Sequence, residues 1–458
     1  MPYSSTYPIS QYRVTTEQYA YLKAVSHGLS KADYKLLCHI FVSTISQYRQ
    51  INENNNGWLP IPKQFIQAKF RTSDPSNLEC LNLIEISRSY TKGKYPRRYR
   101  LKNHILDDFI QAGFSNSGAD KRLVSIVTGR PSKPETQTKM LSETHIPTLI
   151  QASIDMFRVC YFNRASAIEH LNQLQSTYIQ APNDRNRFRF FNDWLIFDAI
   201  DKLAEPTNKL GIYSFIPSYT MQNTGRISTP LQSATRAMKA AAYSSIEDLH
   251  NYDLASSQMA LLLHQFELYR IPCSWLEGYI NDPTRRLEYA RTVGVTVDIW
   301  KKCLYTILMT GHIPTNIKWK DSPVVEALEK EIHDPIELVA ALGRLRKLLS
   351  PLIKSLKLWH KIIESQAKQE GKVSNMFGIE RPASDFKNTA GIVAHLLQGS
   401  EAYFIHLLTV FSWKYGFKPI SNEHDGLITL GKISYEAQQK VRELTGLHCL
   451  ELREKPFA

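Results

Sequence analysis

The chain has 458 residues, enough for two or three domains that each bury an apolar core, so a disordered chain is not expected. Its 56 lysines and arginines against 43 aspartates and glutamates give a formal net charge of +13, which favours a polyanionic partner, most commonly nucleic acid. We expect a cytoplasmic protein with no membrane segment, disulfide frame or zinc site, because no stretch reaches roughly 18 apolar residues, no export signal is evident and the six cysteines are scattered.

The N-terminal part of the chain predicts three short helices followed by a β-hairpin. Ser30 is a candidate N-cap of the first helix, Pro62 lies in the first turn of the second, and Asp74 caps the third. Residues 83–88 and 97–101 then alternate in strand fashion around a glycine-containing turn. These elements predict a small domain within residues 1–112.

This order of elements resembles winged helix-turn-helix domains, in which the hairpin is the wing. The resemblance implies a DNA-binding domain whose wing follows phosphates with basic side chains, namely Arg88, Lys92, Lys94, Arg97, Arg98, Arg100 and Lys102. The alternative is a solvated basic edge strand that deters aggregation and binds nothing.

Residues 113–147 are polar and rich in Ser, Thr, Lys and Pro, which predicts a linker. The chain beyond is mostly helical in pattern, with strand candidates at 209–216, before Asp253, at 373–377 and around Asp425. A small antiparallel sheet that carries the acids between walls of helices would be an α+β fold.

Asp253 and Asp425 each lie where a predicted strand ends, about 170 residues apart. Two-metal phosphoryl transfer needs carboxylates that share two hard cations about 3.5 to 4 Å apart. The pair therefore predicts a two-metal site. A lone Asp before a helix would more often be an N-cap, so the interpretation depends on the sequence blocks that accompany the pair.

These blocks occur in a fixed order along the chain. They are Thr224-Gly225-Arg226 with Leu231-Gln232, then Asp253, then a helix with Lys302, Thr306 and Thr310 on one face, then the segment 394–402 with Gln398, and last His424-Asp425.

Over roughly residues 210 to 430, the blocks resemble the polymerase core of family A DNA polymerases and the related single-subunit phage and mitochondrial RNA polymerases. The resemblance implies a right-hand polymerase core over residues 148–458. Its thumb would span about 148–205, its palm 206–262 and 371–458, and its fingers 263–370. It also implies nucleotidyl transfer with two Mg²⁺ ions, which Mn²⁺ can replace, on a DNA primer-template with nucleoside triphosphates.

The roles implied by the resemblance fall on matching positions. Asp253 and Asp425 would hold the metals with help from the backbone carbonyl of Leu254, and Lys302 would neutralise the triphosphate and protonate pyrophosphate. The implied nucleotide-binding residues are Lys302, Thr306, Thr310 and Gln258. The implied primer-template contacts are Arg226, Arg236, Gln398 and His424.

Several positions depart from the family pattern. Asp298 replaces an arginine, Thr306 and Thr310 replace aromatic residues, and Gly426 replaces the acid that DNA polymerases commonly carry after the second aspartate. Gln258 stands where DNA polymerases place Glu against C2′ of the incoming nucleotide and the RNA polymerases place Gly, so its bulk favours deoxynucleotides.

The sequence thus predicts a DNA-directed DNA polymerase of a phage or plasmid replication type, without a proofreading domain and with a replication partner protein, in a prokaryotic or phage-infected cell. One alternative is a primase or small single-subunit RNA polymerase. A second is a non-catalytic DNA-binding replication initiator, against which the presence of Asp253, Lys302 and Asp425 argues.

Overall fold

The computed structural model describes residues 13–48, 58–87, 97–114, 123–130, 146–181, 184–201, 203–229, 231–315 and 322–457. The described helices and strands form an α+β protein, which confirms the predicted class. The chain divides into two compact units, each assembled from three chain segments. The N-terminal unit comprises Met1–Lys139, Arg164–Ala204 and Ser233–Ala242, and the C-terminal unit comprises Met140–Asn163, Glu205–Gln232 and Tyr243–Ala458.

The elements are numbered in chain order. The helices are α1 (Thr16–Val25), α2 (Lys31–Tyr48), α3 (Lys63–Phe70), α4 (Pro75–Cys80), α5 (Asn103–Phe114), α6 (Thr148–Met156), α7 (Arg164–Gln180), α8 (Asp184–Asp201), α9 (Arg236–Tyr243), α10 (Ser257–Leu268), α11 (Ser274–Asn281), α12 (Arg285–Val293), α13 (Val297–Thr310), α14 (Pro323–Glu329), α15 (Pro335–Glu370), α16 (Thr389–Phe411) and α17 (Tyr435–Thr445). The strands are β1 (Arg13–Thr15), β2 (Leu59–Pro60), β3 (Ile84–Ile86), β4 (Arg98–Leu101), β5 (Leu123–Ser125), β6 (Cys160–Asn163), β7 (Glu205–Pro206), β8 (Ile212–Phe215), β9 (Thr220–Met221), β10 (Ile227–Ser228), β11 (Leu249–Leu254), β12 (Lys372–Ser374), β13 (Glu380–Pro382), β14 (Lys418–Asn422), β15 (Gly426–Leu430) and β16 (Leu452–Glu454).

In the N-terminal unit, helix starts are fixed by the caps that the sequence predicts. The hydroxyl of Ser30 accepts the Asp33 N–H at the start of α2 (3.1 Å), and the Asp74 carboxylate accepts the Ser76 N–H at the start of α4 (3.0 Å). Asp33, which is buried, accepts the Asp74 N–H (2.9 Å) and the Asn77 side-chain amide (3.1 Å). One carboxylate therefore joins α2 to the beginning of α4.

The predicted hairpin strands pair in antiparallel fashion. Ile84 to Ile86 of β3 lie opposite Leu101 to Tyr99 of β4, and the short strand β2 pairs with the other edge of β4. The hairpin tip, with Arg88, Lys92 and Lys94, lies outside the described residues.

Two further chain segments belong to the same N-terminal unit. Helices α7 and α8 pack on each other, α8 contacts α2, and the fully buried Asp193 accepts the Thr235 N–H at 2.9 Å. The compact units therefore divide the chain differently from the predicted boundaries, because residues 164–204 of the expected thumb cluster with the N-terminal domain. The expected linker also contains β5, which pairs with the distant β1.

The C-terminal unit is organised around a four-stranded antiparallel sheet in the order β14-β15-β11-β16. Helix α16 contacts α6, α10, α13, α15 and α17, and its Phe404 is fully buried in one core with Trp300 and Trp359. Apolar burial on this scale stabilises the sheet's position, since each large aromatic side chain contributes roughly 1.5 to 3 kcal/mol on burial. None of the helices in the described ranges combines the length and apolar character that a bilayer crossing requires.

Candidate active site

The central strand β11 brings the two predicted aspartates together. Asp253 lies opposite Gly426 of β15, and the Leu254 N–H donates to the carbonyl oxygen of Asp425 at 2.7 Å. Asp253, Leu254 and Asp425 all line one cavity of about 260 Å³. Residues far apart in sequence therefore meet because β11 and β15 are neighbours in the sheet.

A tight turn between β14 and β15 places Asp425 at the cavity wall. His424 adopts a left-handed backbone conformation (φ +69°), and its N–H donates to the side-chain oxygen of Asn422 at 2.9 Å. A Cβ atom at Gly426 would overlap the carbonyl oxygen of Tyr252 on β11. Close strand pairing thus requires glycine at position 426. This gives a physical reason why no acidic residue follows Asp425 directly.

Asp253 and Asp425 lie close enough for the charge of one carboxylate to affect the pKa of the other. Burial, together with the negative charges of Glu401 and Asp253, raises the pKa of Asp425 to about 7. Asp253 is paired with Lys455, whose Nζ lies 2.8 Å from Oδ2. Positive charge at the site would therefore favour the ionised form of Asp425.

The donor chemistry fits Mg²⁺. Among the described residues, no group of three or more His, Cys, Asp or Glu side chains is gathered as a metal cage. Mg²⁺ does not need such a cage, because proteins usually bind it with one or two carboxylates while waters and substrate phosphates complete the octahedron. Asp253 and Asp425 at an open cavity supply that set of oxygen ligands, and Leu254 lies beside them.

Basic and aromatic side chains form other parts of the cavity wall. Arg286 of α12, Lys301 of α13 and Arg453 of β16 line it together with Tyr279 and Tyr305. Arg286 also donates to the hydroxyl of Ser256. Guanidinium and ammonium groups in the same cavity as an acid pair suit a polyphosphate that approaches the acids.

The residues of α13 that the sequence predicts at the site, Lys302, Thr306 and Thr310, do not line the cavity. Lys302 is exposed, and the hydroxyls of Thr306 and Thr310 donate to carbonyls of their own helix at 2.9 Å each. The cavity is lined instead by Lys301 and Tyr305, which lie one turn apart on the same helical face.

The Gly225-Arg226 turn is held by helix α16. Gly225 has φ +89°, and a Cβ atom there would overlap the ring of Phe377. His406 bonds through Nε2 to the Gly225 carbonyl (3.1 Å), and burial lowers the pKa of His406 to about 4, which keeps the ring neutral. The turn is therefore fixed at its backbone.

Arg226 donates to Glu401, a fully buried residue of α16 that the sequence reasoning missed. Glu401 also accepts the hydroxyl of Ser257, at the start of the helix that follows Asp253. One feature of the sequence could have identified Glu401: it is a carboxylate within the largely apolar segment 389–411. A charge that is buried in such a segment requires a partner.

The remaining predicted residues are dispersed. Gln258 is half-buried on α10 and does not line the cavity, and Gln398 is half-buried on α16, three residues before Glu401. His424 lies in the turn beside Asp425. Arg236 is exposed at the start of α9, which belongs to the N-terminal unit.

No protein-family model and no curated protein matches the chain. Among solved structures, it is similar to one described as the POL domain of Pol1 from M. smegmatis in complex with DNA primer-template and dNTP. The identity is 12% and the TM-score 0.46, over 96% of this chain and 80% of that one. The chemistry of the site is therefore inferred from its own residues.

Proposed function

We propose that the chain is a template-directed nucleotidyltransferase, and specifically a DNA-directed DNA polymerase of a phage or plasmid replication type. One observation carries the proposal. Asp253 of β11 and Asp425, the residue directly before the neighbouring strand β15, meet in a cavity that Arg286, Lys301 and Arg453 also line. Acids that can hold two hard cations beside cations that can hold a polyphosphate are what nucleotidyl transfer requires.

In this proposal, Asp253 and Asp425 hold Mg²⁺, for which Mn²⁺ can substitute. Bound metal would lower the pKa of a primer 3′-hydroxyl and neutralise charge on the triphosphate. Lys301 and Arg286 would orient the triphosphate through charge-assisted hydrogen bonds. Lys301 takes the role that the sequence assigned to Lys302, because Lys301 lines the cavity.

Arg226 has a positioning role in this proposal. Its side chain is only 14% exposed and is held by Glu401, so it fixes the Gly225-Arg226 turn beside helix α16. Contact of this turn with a primer-template remains part of the proposal, as do contacts of Gln398, His424 and Arg236.

A small RNA polymerase or primase is the second candidate function. The position of Gln258 outside the cavity wall is the observation that supports it. Because Gln258 does not line the cavity, its side chain gives no ground there for a choice between deoxynucleotides and ribonucleotides. Sugar preference therefore has to be measured.

The test is an extension assay with the full chain on a labelled template, with and without primer, with all dNTPs or all rNTPs, and with Mg²⁺ or Mn²⁺. We expect primer- and dNTP-dependent extension. Asp253→Asn and Asp425→Asn should each reduce it by about a thousandfold, equivalent to about 4 kcal/mol of transition-state stabilisation.

Asp385→Asn is the matched control, since Asp385 is an exposed aspartate outside the cavity wall. Unchanged extension by Asp253→Asn would refute the site. Strong primer-free RNA synthesis would favour the second candidate.

A further inference from the structure

The C-terminal strand is fastened along the edge of β11. The Ala255 N–H donates to the Glu451 carbonyl, and the Lys455 N–H donates to the Asn251 carbonyl, both at 2.8 Å. Beyond the strand, the ring of Phe457 lies 5.6 Å from that of Tyr243, measured between centroids. The backbone of residues 451–457 is thus anchored at both ends beside the strand that carries Asp253.

Strand register directs two cations of this segment toward the acids. Arg453 lies directly opposite Asp253, and directly opposed residues of an antiparallel pair share a face of the sheet. Lys455 follows two residues later, so it returns to the same face. Accordingly, Arg453 lines the cavity, and the Nζ of Lys455 lies 2.8 Å from Oδ2 of Asp253.

The Lys455–Asp253 pair has little value as a structural brace. The two side chains are 45% and 35% exposed, and exposed ion pairs contribute little to stability. The pair does, however, occupy an oxygen of the carboxylate that is assigned to the metal. Hard divalent cations bind through the same carboxylate oxygens.

We propose that Lys455 is a positioning residue that holds Asp253 and competes with a divalent cation for its carboxylate. The C-terminal strand then sets the metal concentration at which the site fills. This inference rests on the proposed function, which assigns Asp253 as a metal ligand.

The test measures Mn²⁺ binding to the full chain by electron paramagnetic resonance, without nucleotide or DNA. Lys455→Ala should bind Mn²⁺ about three- to fivefold more tightly at low ionic strength, the range expected for loss of an exposed ion pair. The difference should shrink at high salt, because salt screens exposed charges. Lys455→Arg keeps the charge and should bind like the wild type.

Lys432→Ala is the matched control, because Lys432 is an exposed lysine of the same unit and its loss changes the net charge equally. Unchanged or weaker Mn²⁺ binding by Lys455→Ala, together with weakened binding by Asp253→Asn, would overturn the role of Lys455 alone. Wild-type Mn²⁺ binding by Asp253→Asn would overturn the metal site, and with it the proposed function. Tighter binding by Lys455→Ala with weaker binding by Asp253→Asn supports both.

Discussion

Lys301 and Lys302 are neighbours in sequence, but their side chains project from different sides of helix α13. The rotation of about 100° per residue brings Lys301 and Tyr305 to the cavity, whereas Lys302 is exposed. The sequence predicted Lys302 of this helix at the site, but the rotation of the helix is set by which side chains its neighbours bury. Trp300 and Leu304, both fully buried, determine that rotation.

A pair of substitutions separates the two lysines. Lys301→Ala should lower kcat/KM for the incoming nucleotide by roughly 10- to 100-fold, because a hydrogen bond to a charged group is worth about 1.5 to 3 kcal/mol. Lys302→Ala should stay within about twofold of the wild type, since exposed charges contribute little. Steady-state kinetics with a fixed primer-template measures both. A larger effect for Lys302→Ala would restore the assignment made from the sequence.

Glu401 shows how one buried residue can link several motifs. It accepts from Arg226 and from Ser257, and its charge raises the pKa of Asp425. Removing one partner of a buried ion pair is strongly destabilising because the other charge stays buried and unpaired. Glu401 therefore holds the Gly225-Arg226 turn and also influences the charge state of Asp425.

At the scale of elements, helix α16 and strand β11 organise the C-terminal unit. Helix α16 holds the Gly225-Arg226 turn through Glu401 and His406, and β11 lies between β15 and β16 in the sheet. Asp253 and the cations of the cavity therefore lie on packed strands and helices, and Asp425 lies in the turn directly before β15, an arrangement that helps to define side-chain positions.

The hairpin of the N-terminal unit gives a prediction for DNA binding. Arg97 and Arg98 are exposed. Arg100 is half-buried, pairs with Glu85 at 2.5 Å and lies over the ring of Trp58. We expect the double variant Arg97→Ala, Arg98→Ala to bind duplex DNA roughly tenfold more weakly. The slope of log affinity against log salt should fall by up to about 2, because each phosphate contact contributes about 0.9.

Fluorescence anisotropy across a salt series measures this effect. The control is Lys31→Ala, Lys35→Ala, which removes two exposed charges from α2 of the same unit. Equal losses in both double variants would indicate general charge attraction. No loss in the hairpin variant would leave the solvated edge strand as the better interpretation.

At the scale of the whole molecule, the chain leaves and re-enters each compact unit. The N-terminal unit needs residues 164–204 and 233–242 in addition to its first 139 residues. Within it, α8 contacts α2, and the hydroxyl of Tyr178 on α7 donates to Asp107 of α5 at 3.1 Å. The predicted N-terminal domain is therefore part of a larger unit.

A fragment of residues 1–139 should consequently be less stable than the same region in a fragment of residues 1–242. We expect its melting temperature to be lower by at least about 5 °C, which corresponds to roughly 2 kcal/mol for a unit of this size. Thermal melts by circular dichroism compare the two fragments. Equal melting temperatures would show that the first segment folds independently of α7, α8 and α9.

Several features follow from local patterns in the amino-acid sequence. Ser30 and Asp74 cap helices because a cap bonds to backbone groups two or three residues away. Asp253 and Asp425 were identified because strand ends and turns have local signatures, and the order of the blocks gave them a shared chemistry. The arrangement of a winged domain and a right-hand polymerase core remains a prediction.

The side chains that meet across long distances in sequence are brought together by the packing of the fold. Arg226 and Glu401 are 175 residues apart, β5 pairs with β1 across the expected linker, and Lys455 reaches Asp253 from the last strand. Such contacts depend on how elements pack and register against one another, which local periodicity does not encode. The sequence therefore predicted Asp253 and Asp425 as site residues, whereas the fold determines which residues surround them.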